Sequence, residues 1–146
     1  MTPEQLWAGI TQPDLIAGWL GPVTRFDLHV DGEIVLLLHP GNGAWLRGNV
    51  TAIEVPRMIE FTWNVPAHGT APAFVGGALR LEVQRHERGA CLKFSHALPG
   101  PARVLDILAA SHLRLEQLSS KPGRIASVDR ERFLALRARY EAAAAL

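Results

Sequence analysis

At Val23 the sequence changes to a period of two, and up to Leu98 it reads as a succession of strands separated by turns. That property restricts the fold more than any other, because alternating residues project to opposite faces of a pleated strand. Phe26, Leu28 and Val30 alternate with Arg25, Asp27 and His29, which predicts a half-buried strand over Val23–Val30. Asp31-Gly32 is a hairpin signal. Glu33–His39 returns from it with an unbroken apolar run, Ile34–Leu38, that predicts burial on both faces. After the Pro40-Gly41-Asn42-Gly43 turn, a long strand is expected over Ala44–Val55, with a bend or bulge at Gly48. Pro56-Arg57 then turns into a strand over Met58–Val65, with Ile59, Phe61, Trp63 and Val65 on one face. A looser stretch, Pro66–Pro72, leads to a hairpin of Phe74–Arg85 and Ala90–Leu98 across His86-Glu87-Arg88-Gly89. On the last strand Ala90, Leu92, Phe94, His96 and Leu98 share a face.

Six strands joined by short turns make an antiparallel meander, which buries one face against another layer. The flanking segments supply that layer. Thr2-Pro3-Glu4-Gln5 carries an N-cap, a proline at the first helical position and a capping-box glutamine. Leu6, Trp7 and Ile10 follow at helical spacing, and Pro13-Asp14 opens a second short helix with Leu15, Ile16, Trp19 and Leu20 as its stripe. Gly21-Pro22 ends it. Beyond Pro99-Gly100-Pro101, Ala102–Leu118 reads as a long amphipathic helix with Val104, Leu108 and Leu115, and nearby Leu105 and His112, on one side. A break is expected over Ser119–Gly123, followed by a helical tail from Asp129 to Leu146 with Ser127 as N-cap and Phe133, Leu136 and Tyr140 as its stripe. The expected architecture is α+β: a curved antiparallel sheet of about six strands wrapped around a long C-terminal helix, with two short N-terminal helices. A space between such a sheet and helix is a natural place for a ligand.

Bulk properties narrow the function. The chain has 146 residues, enough for one domain with a real core, and 15 basic against 14 acidic residues give a formal net charge of +1. Neither sign dominates, so no charge-driven nucleic-acid or membrane surface is expected. The lone Cys91 excludes an internal disulfide and reads as an ordinary strand residue. The chain opens without a secretory leader pattern and has no apolar run near 18 residues, so a cytoplasmic location is expected.

Particular residues then point to a family. Trp7, Thr11, Pro13, Leu15, Trp19, Leu20, Gly21 and Pro22 resemble the opening signature of homologues of the activator of heat-shock protein 90 ATPase, as do Phe26-Asp27-Leu28 and Asp31-Gly32. Gly48-Asn49-Val50, the Glu54-Val55-Pro56-Arg57 turn, Phe61-Thr62-Trp63 and the Leu92–Leu98 strand with Ser95-His96 fit the same pattern. The resemblance covers roughly residues 4–118. It implies a START-like helix-grip domain over 1–120, related to polyketide cyclases, aromatases and lipid carriers, and an extra helical tail over 121–146. Two departures follow. Family members usually begin with a strand before the first helix, and here Met1 stands at the helix start. The tail exceeds the usual final helix, and its apolar stripe is expected to form a homodimer or to cover the incomplete sheet.

The chemistry-bearing residues are sparse. His29, His39, His68, His86, His96 and His112 include no pair at helical i,i+4 spacing and no HExxH pattern, so no metal is expected. No glycine-rich phosphate loop follows a strand, and no cofactor is expected. His96 alternates in step with Phe94 and Leu92, and His112 lies near Leu108 and Leu115, so both are expected to face one cavity. There a neutral imidazole orients a ligand or acts as acid or base, the bland alternative being a hydrogen-bonded core histidine. Phe61, Trp63, Phe94, His96, Leu108, His112 and Leu115 form the expected cavity lining. Trp7 and Trp19 read as packing anchors, and Trp45 as a rim residue.

Three functions compete on this reading. The first is binding of a small apolar or aromatic molecule. The second is a protein-interaction module, for which the resemblance implies a chaperone-regulating role. The third is an enzyme of cyclase or hydrolase type using His96 and His112. One fold hosts all three.

Overall fold

The computed structural model describes residues 1–39, 43–70, 72–97, 104–120 and 130–144, with the side chains of 39, 104–108, 117, 119, 120, 130, 133 and 144 outside that description. The order of elements is α1 (Pro3–Thr11), α2 (Pro13–Ile16), β1 (Val23–Phe26), β2 (Glu33–His39), β3 (Ala44–Glu54), β4 (Met58–Val65), β5 (Phe74–His86), β6 (Gly89–Ala97), α3 (Val104–Ser120) and α4 (Arg130–Ala144). The strands form one antiparallel sheet in sequence order, β1-β2-β3-β4-β5-β6. The expected Pro40–Asn42 turn, Leu98, the Pro99–Pro101 stop, the Pro122-Gly123 break and the Ser127 cap lie outside the described residues.

The amino-terminal layer forms as its sequence dictates. Thr2 accepts from the Gln5 amide and Gln5 reaches back to the Thr2 amide, closing the capping box. The Trp19 indole donates to the Gly9 carbonyl at 2.9 Å and ties the turn after α2 to α1. Only Pro13–Ile16 of the second helix is regular, and Trp19 and Leu20 are buried from the turn that follows it.

On the sheet, Ile34, Leu36, Leu46, Val50, Ile59, Phe61, Leu79, Leu81 and Val83 form one inner face against Leu6, Ile10, Ile16, Trp19, Leu20 and Leu118. Val35 is buried too, so β2 is covered on both faces over Ile34–Leu36. The outer face is polar, with Arg80 bridging Glu60 and Glu82 and Lys93 near Glu82.

Two local expectations are corrected. The first strand ends at Phe26, and Leu28 and Val30 are exposed rather than inward. The Asp27 amide donates to the Glu33 carbonyl, and its carboxylate accepts from the Glu33 amide and the Arg25 guanidinium, so residues 27–32 form a wider loop closed by Gly32 N to His29 O, with Asp31 at φ 65. The register shift of β3 lies between Val50 and Ala52, not at Gly48. Gly48 instead permits close strand approach, since a Cβ there would stand 2.0 Å from the Thr62 carbonyl oxygen.

The outer edge of β6 has no strand partner among the described residues. Among the described residues of the tail, α4 packs on α3, where Ala109, Leu113 and Leu136 are buried with Tyr140 beside them. Phe133, expected on the same stripe, has its side chain outside the described residues. Among the described residues no helix is long and apolar enough to cross a membrane.

Candidate functional site

The inner face of the sheet carries a continuous run of rings. Alternation on β4 points Phe61 and Trp63 inward, and alternation on β6 does the same for Phe94 and His96. The register Phe61↔Leu79↔His96 then lays β4, β5 and β6 side by side at this level. Phe26 meets Phe61 edge-on at 6.5 Å between centroids, Phe61 lies along Trp63 at 6.4 Å, Trp63 meets His96 at 5.0 Å, and His96 meets Phe94 at 6.3 Å. Such edge-to-face pairs hold ring orientation as well as burying area.

His96 is the anomaly in this wall. Both of its ring nitrogens are closed off from solvent, and neither has a hydrogen-bond partner among the described residues. Burial lowers its pKa to about 4, so the ring is neutral at ordinary pH. A neutral imidazole offers one N–H and one lone pair, and leaving both unpaired in an aromatic setting costs free energy. Buried polar atoms in folded proteins are nearly always paired, so a doubly orphaned ring marks a place where a partner is missing.

The other expected lining residues divide. Leu115 packs against the main core beside buried Leu118. The side chain of Leu108 lies outside the described residues. His112 does not join His96: its Nδ1 is 2.9 Å from the Tyr140 hydroxyl and its Nε2 is 3.5 Å from Glu116, which also holds Arg132. Helix geometry accounts for this. At about 100° per residue, His112 stands roughly 60° round α3 from Leu115, far enough to turn it towards α4. Arg132, hydrogen-bonded to Glu116, holds that carboxyl below the usual carboxylate range.

Among the remaining histidines, the side chain of His39 lies outside the described residues. His29 and His86 are exposed, and His68 contacts the Pro66 carbonyl. Among the described residues no cluster of histidine, cysteine or acidic side chains converges on a metal-sized site. Cys91 is exposed on β6, and Trp45 is partly exposed at the start of β3.

Sequence reasoning passed over Arg114. Its guanidinium donates to the Leu20 carbonyl and reaches to 3.5 Å from the Leu38 carbonyl, at the meeting of α3, the turn after α2, and β2. No carboxylate pairs with it among the described residues, and burial lowers its pKa to about 10. The available signal was its position four residues before Leu118, on the flank of the apolar stripe.

A curved antiparallel sheet closed by a long C-terminal helix defines an α+β helix-grip domain of the START-like kind. The family described as Activator of Hsp90 ATPase homolog 1-like protein matches residues 1–107, and the chain belongs to it. Solved structures share the fold. CalU16 from Micromonospora echinospora is 20% identical, with a TM-score of 0.71 over 97% of this chain and 80% of that one. Protein MLL2253 from Mesorhizobium loti is 22% identical, with a TM-score of 0.65 over 94% of this chain and 90% of that one. DynU16, a protein in the dynemicin biosynthetic locus, is 18% identical, with a TM-score of 0.68 over 85% of this chain and 46% of that one. The curated proteins give no match.

Proposed function

We propose that this protein binds a small apolar or aromatic molecule between the inner face of the sheet and α3, with Phe61, Trp63 and Phe94 as the wall and His96 as the polar contact. The observation that carries this reading is His96, whose two ring nitrogens are shut away from water and have no hydrogen-bond partner among the described residues. A ligand hydroxyl or carbonyl satisfies that demand, and the adjoining rings bind an aromatic body by stacking and burial. The place of the structural neighbour DynU16 in the dynemicin biosynthetic locus agrees with such a role. An enzymatic reading of cyclase or hydrolase type needs a second polar group at the ring, and the rings flanking His96 are Trp63 and Phe94.

Native mass spectrometry of gently purified protein, compared with denatured extraction, tests the reading. A retained small molecule, or a fluorescence rise with the neutral probe N-phenyl-1-naphthylamine that weakens in His96→Ala, supports it. Clean protein that ignores the probe sinks it. The competing reading is a docking role of the chaperone-linked kind in the family's description. It draws on Leu28, Val30 and Val55, exposed apolar residues in the β1–β2 and β3–β4 connections.

A further inference from the structure

Arg114 presents a second unmet demand, of a different kind. A guanidinium carries five N–H donors and a permanent charge. One donor is used on the Leu20 carbonyl and another reaches the Leu38 carbonyl at the long limit of a hydrogen bond, and the rest have no acceptor among the described residues. Carbonyl oxygens offer only partial charge. A buried cation normally sits beside a carboxylate, because removing it from water without a counter-charge is costly. Four other arginines, Arg25, Arg57, Arg80 and Arg132, each hold an acid.

The location matters as much as the charge. Leu20 belongs to the buried core and Leu38 packs against it, so the guanidinium lies beside the apolar layer, where α3 meets β2 and the turn after α2. The corner is fixed rather than loose. Gly21 lies so close to β2 that a Cβ would stand 2.0 Å from the Leu37 carbonyl oxygen, and the Leu37 amide bonds the Pro22 carbonyl. The backbone acceptors that aim Arg114 are therefore held in place before any ligand arrives.

We infer that Arg114 is an anion-anchoring residue and that the ligand of this site is an apolar carboxylic acid bound as its carboxylate. This rests on the ligand-binding reading above and narrows it. A monoanion balances one guanidinium and leaves the interior neutral, whereas a phosphate dianion would leave an uncompensated negative charge. The planar fork of the guanidinium also matches the two oxygens of a carboxylate.

The test uses the full chain and N-phenyl-1-naphthylamine as a neutral fluorescent reporter, displaced in parallel by 2-naphthoic acid and by its methyl ester. The two competitors share a ring system and differ in charge. The acid should displace the reporter about 10-fold more tightly than the ester. In Arg114→Gln that ratio should fall towards one, and in Arg114→Lys it should persist in reduced form. An ester that binds as well as the acid in the wild-type protein overturns the inference, and this comparison needs no variant to fold. A ratio that survives in Arg114→Gln, with only thermal stability lowered, makes Arg114 a brace between α3 and β2 and equally overturns it. A reporter that never binds the wild-type protein removes the ligand-binding reading itself, which separates that failure from this one.

Discussion

His96 packs among rings with no hydrogen-bond partner for either ring nitrogen among the described residues. Two unpaired ring nitrogens in an aromatic wall oppose folding, so a side chain of similar size without them should be better tolerated. His96→Leu is expected to raise the unfolding free energy by about 1 kcal/mol in urea titration. The same variant should weaken hydrogen-bonding ligands more than purely apolar ones. A drop in stability would mean that the ring is satisfied by its surroundings after all. The proton linkage gives an independent check. The folded ring titrates near 4 and the unfolded one near 6.5. As pH falls through that interval the unfolded chain takes up a proton that the folded chain refuses. Stability should therefore be insensitive to this group above about pH 6.5 and decline as pH is lowered towards 4. Urea midpoints collected across the interval should show a shallower decline in His96→Leu. An unchanged slope would remove His96 as its source.

The strands and helices were legible to differing degrees, and the reasons are physical. The strands β4, β5 and β6 follow a period of two and β2 an unbroken apolar run, and the structure keeps all four within a residue of their expected bounds. Periodicity could not show that Asp27 would close a loop with Glu33, which takes Leu28 and Val30 out of the strand. The inward faces of β4 and β6 were readable, so Phe61, Trp63, Phe94 and His96 emerge together. The helix side was not, because an apolar stripe has flanks. His112 falls on the flank that α4 covers, and Arg114 on the flank that meets Leu20 and Leu38. Gly48 shows what a single sequence hides: the glycine was visible, but its reason, the Thr62 carbonyl of the next strand, belongs to pairing. Gly48→Ala forces β3 and β4 apart at that point, and the blocking atom is backbone. A loss of about 3 kcal/mol is expected, measured by chemical denaturation. A loss below about 1 kcal/mol would show that the two strands shift apart freely.

The molecule is layered so that α3 serves two partners at once. Leu115 and Leu118 face the sheet core, while Ala109 and Leu113 face Leu136 of α4. The tail stripe thus finds cover within its own chain, so burial of Leu136 and Tyr140 does not require a second copy. The α3–α4 seam forms a small apolar cluster separate from the main core, bordered by the Glu116–Arg132 pair and the His112–Tyr140 contact. Small clusters with few partners open before large ones, so α4 should behave as its own unit of local unfolding. Leu136 is fully buried, and Leu136→Ala is expected to cost that seam about 2–4 kcal/mol. Hydrogen exchange followed by mass spectrometry separates the two layers. Amides of α4 should lose protection in the variant, while those of β3, β4 and β5, held by the sheet ladder, should exchange as in the parent protein. Equal loss across α4 and the sheet would mean that the seam and the main core unfold together. Loss confined to α4 would mean that the tail can lift from α3 while the wall containing His96 stays assembled.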